Sequence, residues 1–96
     1  GSLDRDVIRT VVRAHISEIR HCYNEGLSRD PELAGRFVVD FEIAASGAVS
    51  KSVIAESTLG DVAVEACMAA AVKQWKFPQP TGGSMQVSYP FVLEPG

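Results

Sequence analysis

Gly35-Arg36-Phe37-Val38-Val39-Asp40-Phe41-Glu42-Ile43 alternates apolar and polar positions over most of its length. In an extended backbone successive side chains point to opposite faces, so Phe37, Val39, Phe41 and Ile43 share one face while Asp40 and Glu42 share the other. That is the pattern of a strand with one side against a core. After Ala45-Ser46-Gly47-Ala48 a second run follows, Val49 to Ser57, and the short gap predicts a hairpin. A two-residue Ser46-Gly47 loop pairs Phe41 with Ser52 and exposes Val49 and Val53. A three-residue loop with Gly47 in the left-handed region instead aligns Ile43 with Val49 and Val39 with Val53, and the hydrophobic pattern favours it.

Upstream of the hairpin the period changes from two to about 3.6. Ile8, Val11, Val12, His15, Ile16, Ile19, Cys22 and Tyr23 fall on one arc at 100° per residue, with Asp6, Ser17, Glu18, His21 and Glu25 outside it. The spacing predicts one long amphipathic helix, capped by Asp4, stapled by Leu3 onto Ile8, and ending between Gly26, a natural left-handed cap, and Asp30-Pro31. Downstream, Asp61 caps a second helix running to about Trp75, with Val64, Cys67, Met68, Ala71, Val72 and Trp75 on its apolar arc. Its thin flank of Ala63, Ala66 and Ala70 would let another backbone approach closely. Phe77-Pro78-Gln79-Pro80 and Thr81-Gly82-Gly83 break the helix and lead into a last strand, Ser84 to Leu93, with Met85, Val87, Tyr89, Phe91 and Leu93 on one face.

The order α-β-β-α-β predicts an α+β fold, a three-stranded antiparallel sheet with two helices packed on one face. A right-handed crossover sets the last strand parallel to the second, beside the free side of the first. Pro90 agrees, since a residue without an amide hydrogen is tolerated on an edge strand.

The bulk numbers fit such a domain. At 96 residues there is room for a single core. Gly1-Ser2 reads as a protease-cleavage scar, leaving residues 3–96 as one domain cut from a longer protein. Hydrophobic residues make up 46% and charged residues 22%, enough for a packed interior. A net charge of −3 and a pI near 5.2 argue against nucleic acid as a partner, because phosphate neutralisation needs a basic surface. No apolar run approaches the ~20 residues of a bilayer span.

Several segments taken in order carry a resemblance: Ile19-Arg20-His21-Cys22-Tyr23-Asn24, Gly35 before a strand, Gly47-Ala48-Val49, Glu56-Ser57-Thr58-Leu59, Glu65-Ala66-Cys67, Trp75-Lys76-Phe77-Pro78 and Tyr89-Pro90-Phe91. Over nearly its whole length the chain resembles the TonB C-terminal domain family, in the variant that ends the AgmX/PglI-type gliding-motility proteins of myxobacteria. The resemblance implies a periplasmic, C-terminal domain of an inner-membrane-anchored protein. It implies a segment of an envelope or outer-membrane protein as partner, added as a strand to the sheet edge. It further implies force from inner-membrane, proton-driven motor proteins, reached through the rest of the parent chain. No cofactor is expected.

Cys22 and Cys67 lie on the apolar arcs of helices expected to pack together, and an oxidising envelope permits a bridge between them. A disulfide is the favoured reading, with two buried free thiols or a metal site as alternatives; the absence of a C-x-x-C pair, and His21 turned about 100° from Cys22, weigh against metal. His15 within the apolar arc reads as a core histidine with one hydrogen-bond partner rather than a catalytic base, and His21 as surface. No nucleophile elbow or phosphate loop is present, so no enzyme activity is expected. Arg5, Arg9, Arg13 and Arg20, within about 80° of one another on an ideal helix, form a basic stripe. It is either a solvated face or a surface for an acidic partner, anionic lipid or cell-wall polymer. The chain is expected to be a monomer or weakly self-associating; the alternative function is a structural, self-assembling envelope module, or a cell-wall or anionic-surface binder that uses this stripe. The last candidate is the edge strand itself, Ser84, Met85, Gln86, Val87, Ser88, Tyr89, Pro90 and Phe91. If Pro90 turns its missing donor outward, the amides of Gln86 and Ser88 are free for a visiting strand; the opposing reading is an edge that Pro90 blocks.

Overall fold

The computed structural model describes residues 1–95. Three helices and three strands follow the expected order: α1 (Arg5–Ala14), α2 (Ile16–Arg29), β1 (Gly35–Ile43), β2 (Val49–Ser57), α3 (Val62–Lys73) and β3 (Met85–Leu93). The sheet order is β2-β1-β3, and β1 pairs antiparallel with both neighbours. Its inward residues Phe37, Val39, Phe41 and Ile43 are fully buried, against Ile19, Cys22 and Tyr23 of α2 and Val64, Met68 and Val72 of α3. Phe37 stacks on Phe91 across the β1–β3 pair, centroids 4.9 Å apart, and Phe41 on Phe77 at 5.6 Å. Each such buried aromatic is worth a few kcal/mol of transfer free energy.

The single first helix of the sequence reading is two helices. His15 breaks the ladder at φ −114°, ψ 9°, and the cause is its own side chain. Imidazole Nδ1 donates to the Val11 carbonyl at 2.8 Å, the acceptor that the His15 amide would take in a continuous helix. The displaced amide turns to Val12 O at 3.1 Å, and a new helix starts at Ile16. Asp4 caps α1 through Asp6 N at 2.8 Å, and Asp61 caps α3 through Val64 N at 3.0 Å.

Gly26 is not a helix cap. It lies inside α2, which ends at Arg29, and it is buried where the helix meets Leu33 and Val64; a Cβ there would come within 2.5 Å of both side chains. The close approach between helices is therefore made by Gly26, while Ala63, Ala66 and Ala70 of α3 remain exposed.

In the hairpin the three-residue turn holds: Ala44 N donates to Ala48 O at 2.7 Å, Gly47 has φ 92°, and Ile43 faces Val49. A side chain at Gly47 would strike the carbonyl oxygen of Phe77, whose amide bonds Gly47 O at 2.9 Å. The expected pairing of Val39 with Val53 does not occur. Ser50 and Ala55 are extra residues on β2, so Phe41 faces Ser52, Asp40 faces Val53 and Val39 faces Ile54. The first bulge brings Ile54 toward the core and leaves Val53 56% exposed. Ser52, turned inward, satisfies its hydroxyl on Ala69 O of α3 at 2.8 Å.

Candidate functional site at the edge of the sheet

Backbone direction decides what β3 offers. Arg36 accepts from Thr58 N at 2.8 Å and Ala44 donates to Ala48, so the even-numbered residues of β1 face β2 and the odd-numbered ones face β3. Phe37, Val39, Phe41 and Ile43 therefore exchange bonds with Phe91, Tyr89, Val87 and Met85. Gln86, Ser88, Pro90 and Val92, which lie opposite Glu42, Asp40, Val38 and Arg36, turn their backbone groups away from β1, and no described strand lies on that outer side of β3. Pro90 thus costs the β1–β3 ladder nothing, and it divides the outer edge into the donors of Gln86 and Ser88 on one side and Val92 on the other. Ser84 lies just outside the strand, and Phe91 is buried under the sheet.

The side chains of the two outward-facing residues are held on the solvent side of the sheet. Ser88 Oγ donates to Asp40 Oδ1 at 2.6 Å and Gln86 Nε2 to Glu42 Oε2 at 3.0 Å. These exposed bonds contribute little to stability, but they keep both side chains off the edge. The opposite border differs: β2 carries both bulges, which bend a strand and interrupt its row of donors and acceptors.

On the helix side of the sheet, a groove of about 630 Å³ runs between α1 and β3. Leu3, Arg5, Ile8 and Arg9 form one wall and Met85 through Pro90 the other. The start of α1 is fixed beside the start of β3, because Ser2 and Thr81 exchange backbone hydrogen bonds of 2.8 and 2.9 Å. The break separates Arg20, on α2, from the other three arginines on α1, of which Arg5 and Arg9 line the groove while Arg13 is exposed one turn further along. Asp6 pairs with Arg9 at 3.5 Å and borders the other flank of α1, together with Val7, Thr10 and Pro78. Sequence reading found the stripe and the edge separately; that they meet is a tertiary fact without a local signal.

The remaining candidates take structural places. Cys22 and Cys67 form a disulfide, Cα atoms 5.7 Å apart, so neither sulfur is a thiol nucleophile. His15 is half-buried, its ring stacked on Trp75 at 5.0 Å with Nδ1 on Val11 O. Trp75 Nε1 donates to Glu18 Oε1 at 3.0 Å. His21 is exposed and sits 2.8 Å from Glu25. Tyr23, missed as more than an apolar position, donates its hydroxyl to Leu33 O, and burial pushes its pKa up.

No family model matches the chain, and no curated protein matches it. Among solved structures it is similar to the NMR solution structure of the TonB C-terminal domain of Helicobacter pylori, residues 179-285, with a TM-score of 0.51 and 14% sequence identity. The match covers 98% of this chain and 95% of that one. The fold is that of a TonB C-terminal domain; at this identity the likeness extends to the fold alone. No described helix is long and apolar enough to cross a membrane.

Proposed function

We propose that this chain is a non-catalytic protein-interaction domain of the cell envelope, which docks an extended segment of a partner protein as a fourth strand on β3. The observation that carries the reading is the asymmetry of the sheet. One border is interrupted twice by bulges, while the other presents the unpaired backbone groups of Gln86 and Ser88 beside an open groove. The TonB C-terminal-like fold supports a protein partner in the envelope, and the disulfide suits an oxidising compartment such as the periplasm. In this reading the domain ends a protein anchored in the inner membrane, in the manner of gliding-motility proteins, and receives force from motor proteins there. A binder of anionic polymer through the whole arginine stripe has less behind it, because the break at His15 puts Arg20 on a separate helix, and no observation favours a self-assembling module.

Hydrogen exchange tests the docking site. Addition of extended partner peptides should slow exchange at Gln86 and Ser88 and leave β2 unchanged. Slowing confined to β2 or to the helices refutes the reading. Alkylation of the protein recovered from cells without reduction tests the compartment, and free thiols at Cys22 and Cys67 would remove the periplasm from the proposal.

A further inference from the structure

We infer that the segment taken up by β3 is acidic as well as extended, with a carboxylate side chain directed at Arg5 and Arg9. This rests on the docking reading above and specifies the guest.

Side chains of an added strand alternate between the two faces of the sheet. Those on the solvent side come to lie beside Gln86, Ser88 and Pro90, whose surroundings are mixed and wet. Those on the helix side enter the groove. There they meet Met85, Val87 and Tyr89 from the sheet, an apolar patch of Leu3 and Ile8 on α1, and the two guanidinium groups. No carboxylate lines this groove among the described residues, although the chain as a whole is acidic at −3. Among the described residues Arg9 pairs with Asp6 alone, at 3.5 Å and in the open, which leaves most of its donors for a second acceptor.

A guest complementary to this wall carries an apolar residue for Leu3 and Ile8 and an Asp or Glu two positions away, both on the inward face. The chemistry is bidentate guanidinium–carboxylate pairing at the rim of a partly dewatered groove, stronger than an isolated surface pair. A basic segment would find the same backbone donors and be repelled by the same wall, so the arginines confer selectivity where backbone bonding cannot.

The test uses capped peptides of about eight residues, alternating Val and Thr, with Glu, Gln or Lys substituted at each position in turn. Binding is followed through the amide signals of Gln86 and Ser88 at low salt and at about 0.5 M salt, where the Debye length is a few ångströms. At its best position Glu should bind about fivefold more tightly than Gln, with Lys weakest, and the spread should shrink at high salt. In the double variant Arg5→Glu, Arg9→Glu, at two exposed positions where an unfolding curve checks that the fold is kept, the order of Glu and Lys should invert. Equal affinities for all three with the Gln86 and Ser88 signals moving overturn the inference and leave edge docking standing. No movement at those signals with any peptide overturns edge docking itself. Arginine-dependent binding to vesicles containing anionic lipid, without a preference for Glu peptides, assigns the arginines to a membrane surface and also overturns it.

Discussion

The imidazole of His15 lies over the indole of Trp75, ring centroids 5.0 Å apart and planes inclined by 30°. The contact joins the junction of α1 and α2 to the end of α3, and Glu18 holds the same indole by its nitrogen. Replacing His15 with Ala removes the stack and the bond to Val11 O together. The variant should lose about 1–2 kcal/mol in urea unfolding, with Trp75 emission shifted to the red as water reaches the ring.

The disulfide closes a loop with a sequence separation of 45. The chain-entropy relation gives about 4 kcal/mol for a loop of that size, a large share of the ~5–15 kcal/mol of a typical domain. The double variant Cys22→Ala, Cys67→Ala should unfold at much lower denaturant concentration than the oxidised protein. Reduction of the native protein should produce a comparable shift.

At Gly26 two effects oppose each other. Alanine inside a helix is favoured over glycine by about 1 kcal/mol, but its methyl group would lie 2.5 Å from Leu33 and Val64. Val64 is β-branched and fully buried, so it has little room to yield. The clash should win, with Gly26→Ala less stable than wild type by about 1–2 kcal/mol in thermal or urea unfolding.

Two neighbouring prolines should behave oppositely on β3. Ser88→Pro removes an outward amide and no ladder bond, so unfolding should change by less than about 1 kcal/mol while strand docking is lost. Val87→Pro removes a bond to Phe41 and should cost about 3 kcal/mol or more, seen as loss of the cooperative transition.

Asp61 titrates as a helix cap. Its carboxylate accepts from Val64 N and, at 2.9 Å, from Arg29, and these bonds hold its pKa below the ordinary 3.8. A group depressed on folding stabilises the fold above its unfolded pKa and loses that contribution as pH falls through the folded one. Stability should therefore decline below about pH 4, and the part due to this residue should vanish from the pH profile of Asp61→Asn unfolding.

Local features were legible in the sequence. The alternation in β1, the caps Asp4 and Asp61, the turn at Gly47 and the edge position of the strand that holds Pro90 each follow from a few adjacent residues. The hidden features arise between segments. Nothing in the apolar arc marks a break at His15, because the arc continues through it and the cause is a single side-chain bond. The bulge at Ser50 accompanies an inward-facing Ser52 whose hydroxyl is accepted by Ala69 O of α3, a partner that lies outside the hairpin. Gly26 reads as a stop signal along the chain and acts as a spacer across it. For the proposed docking site, the sequence offered Gln86 and Ser88 only on condition that Pro90 faces outward, whereas the meeting of Arg5 and Arg9 with the β3 groove depends on how α1 is pinned through Ser2 and Thr81.

The two interruptions on β2 limit growth as well as binding. A layer that can be lengthened on one flank alone accepts one added chain and then presents no second row of matching donors from its own far side. On the docking reading, copies of this domain would join through strand contacts at most in pairs, because the distal flank of each is irregular; a fibre would need both flanks smooth.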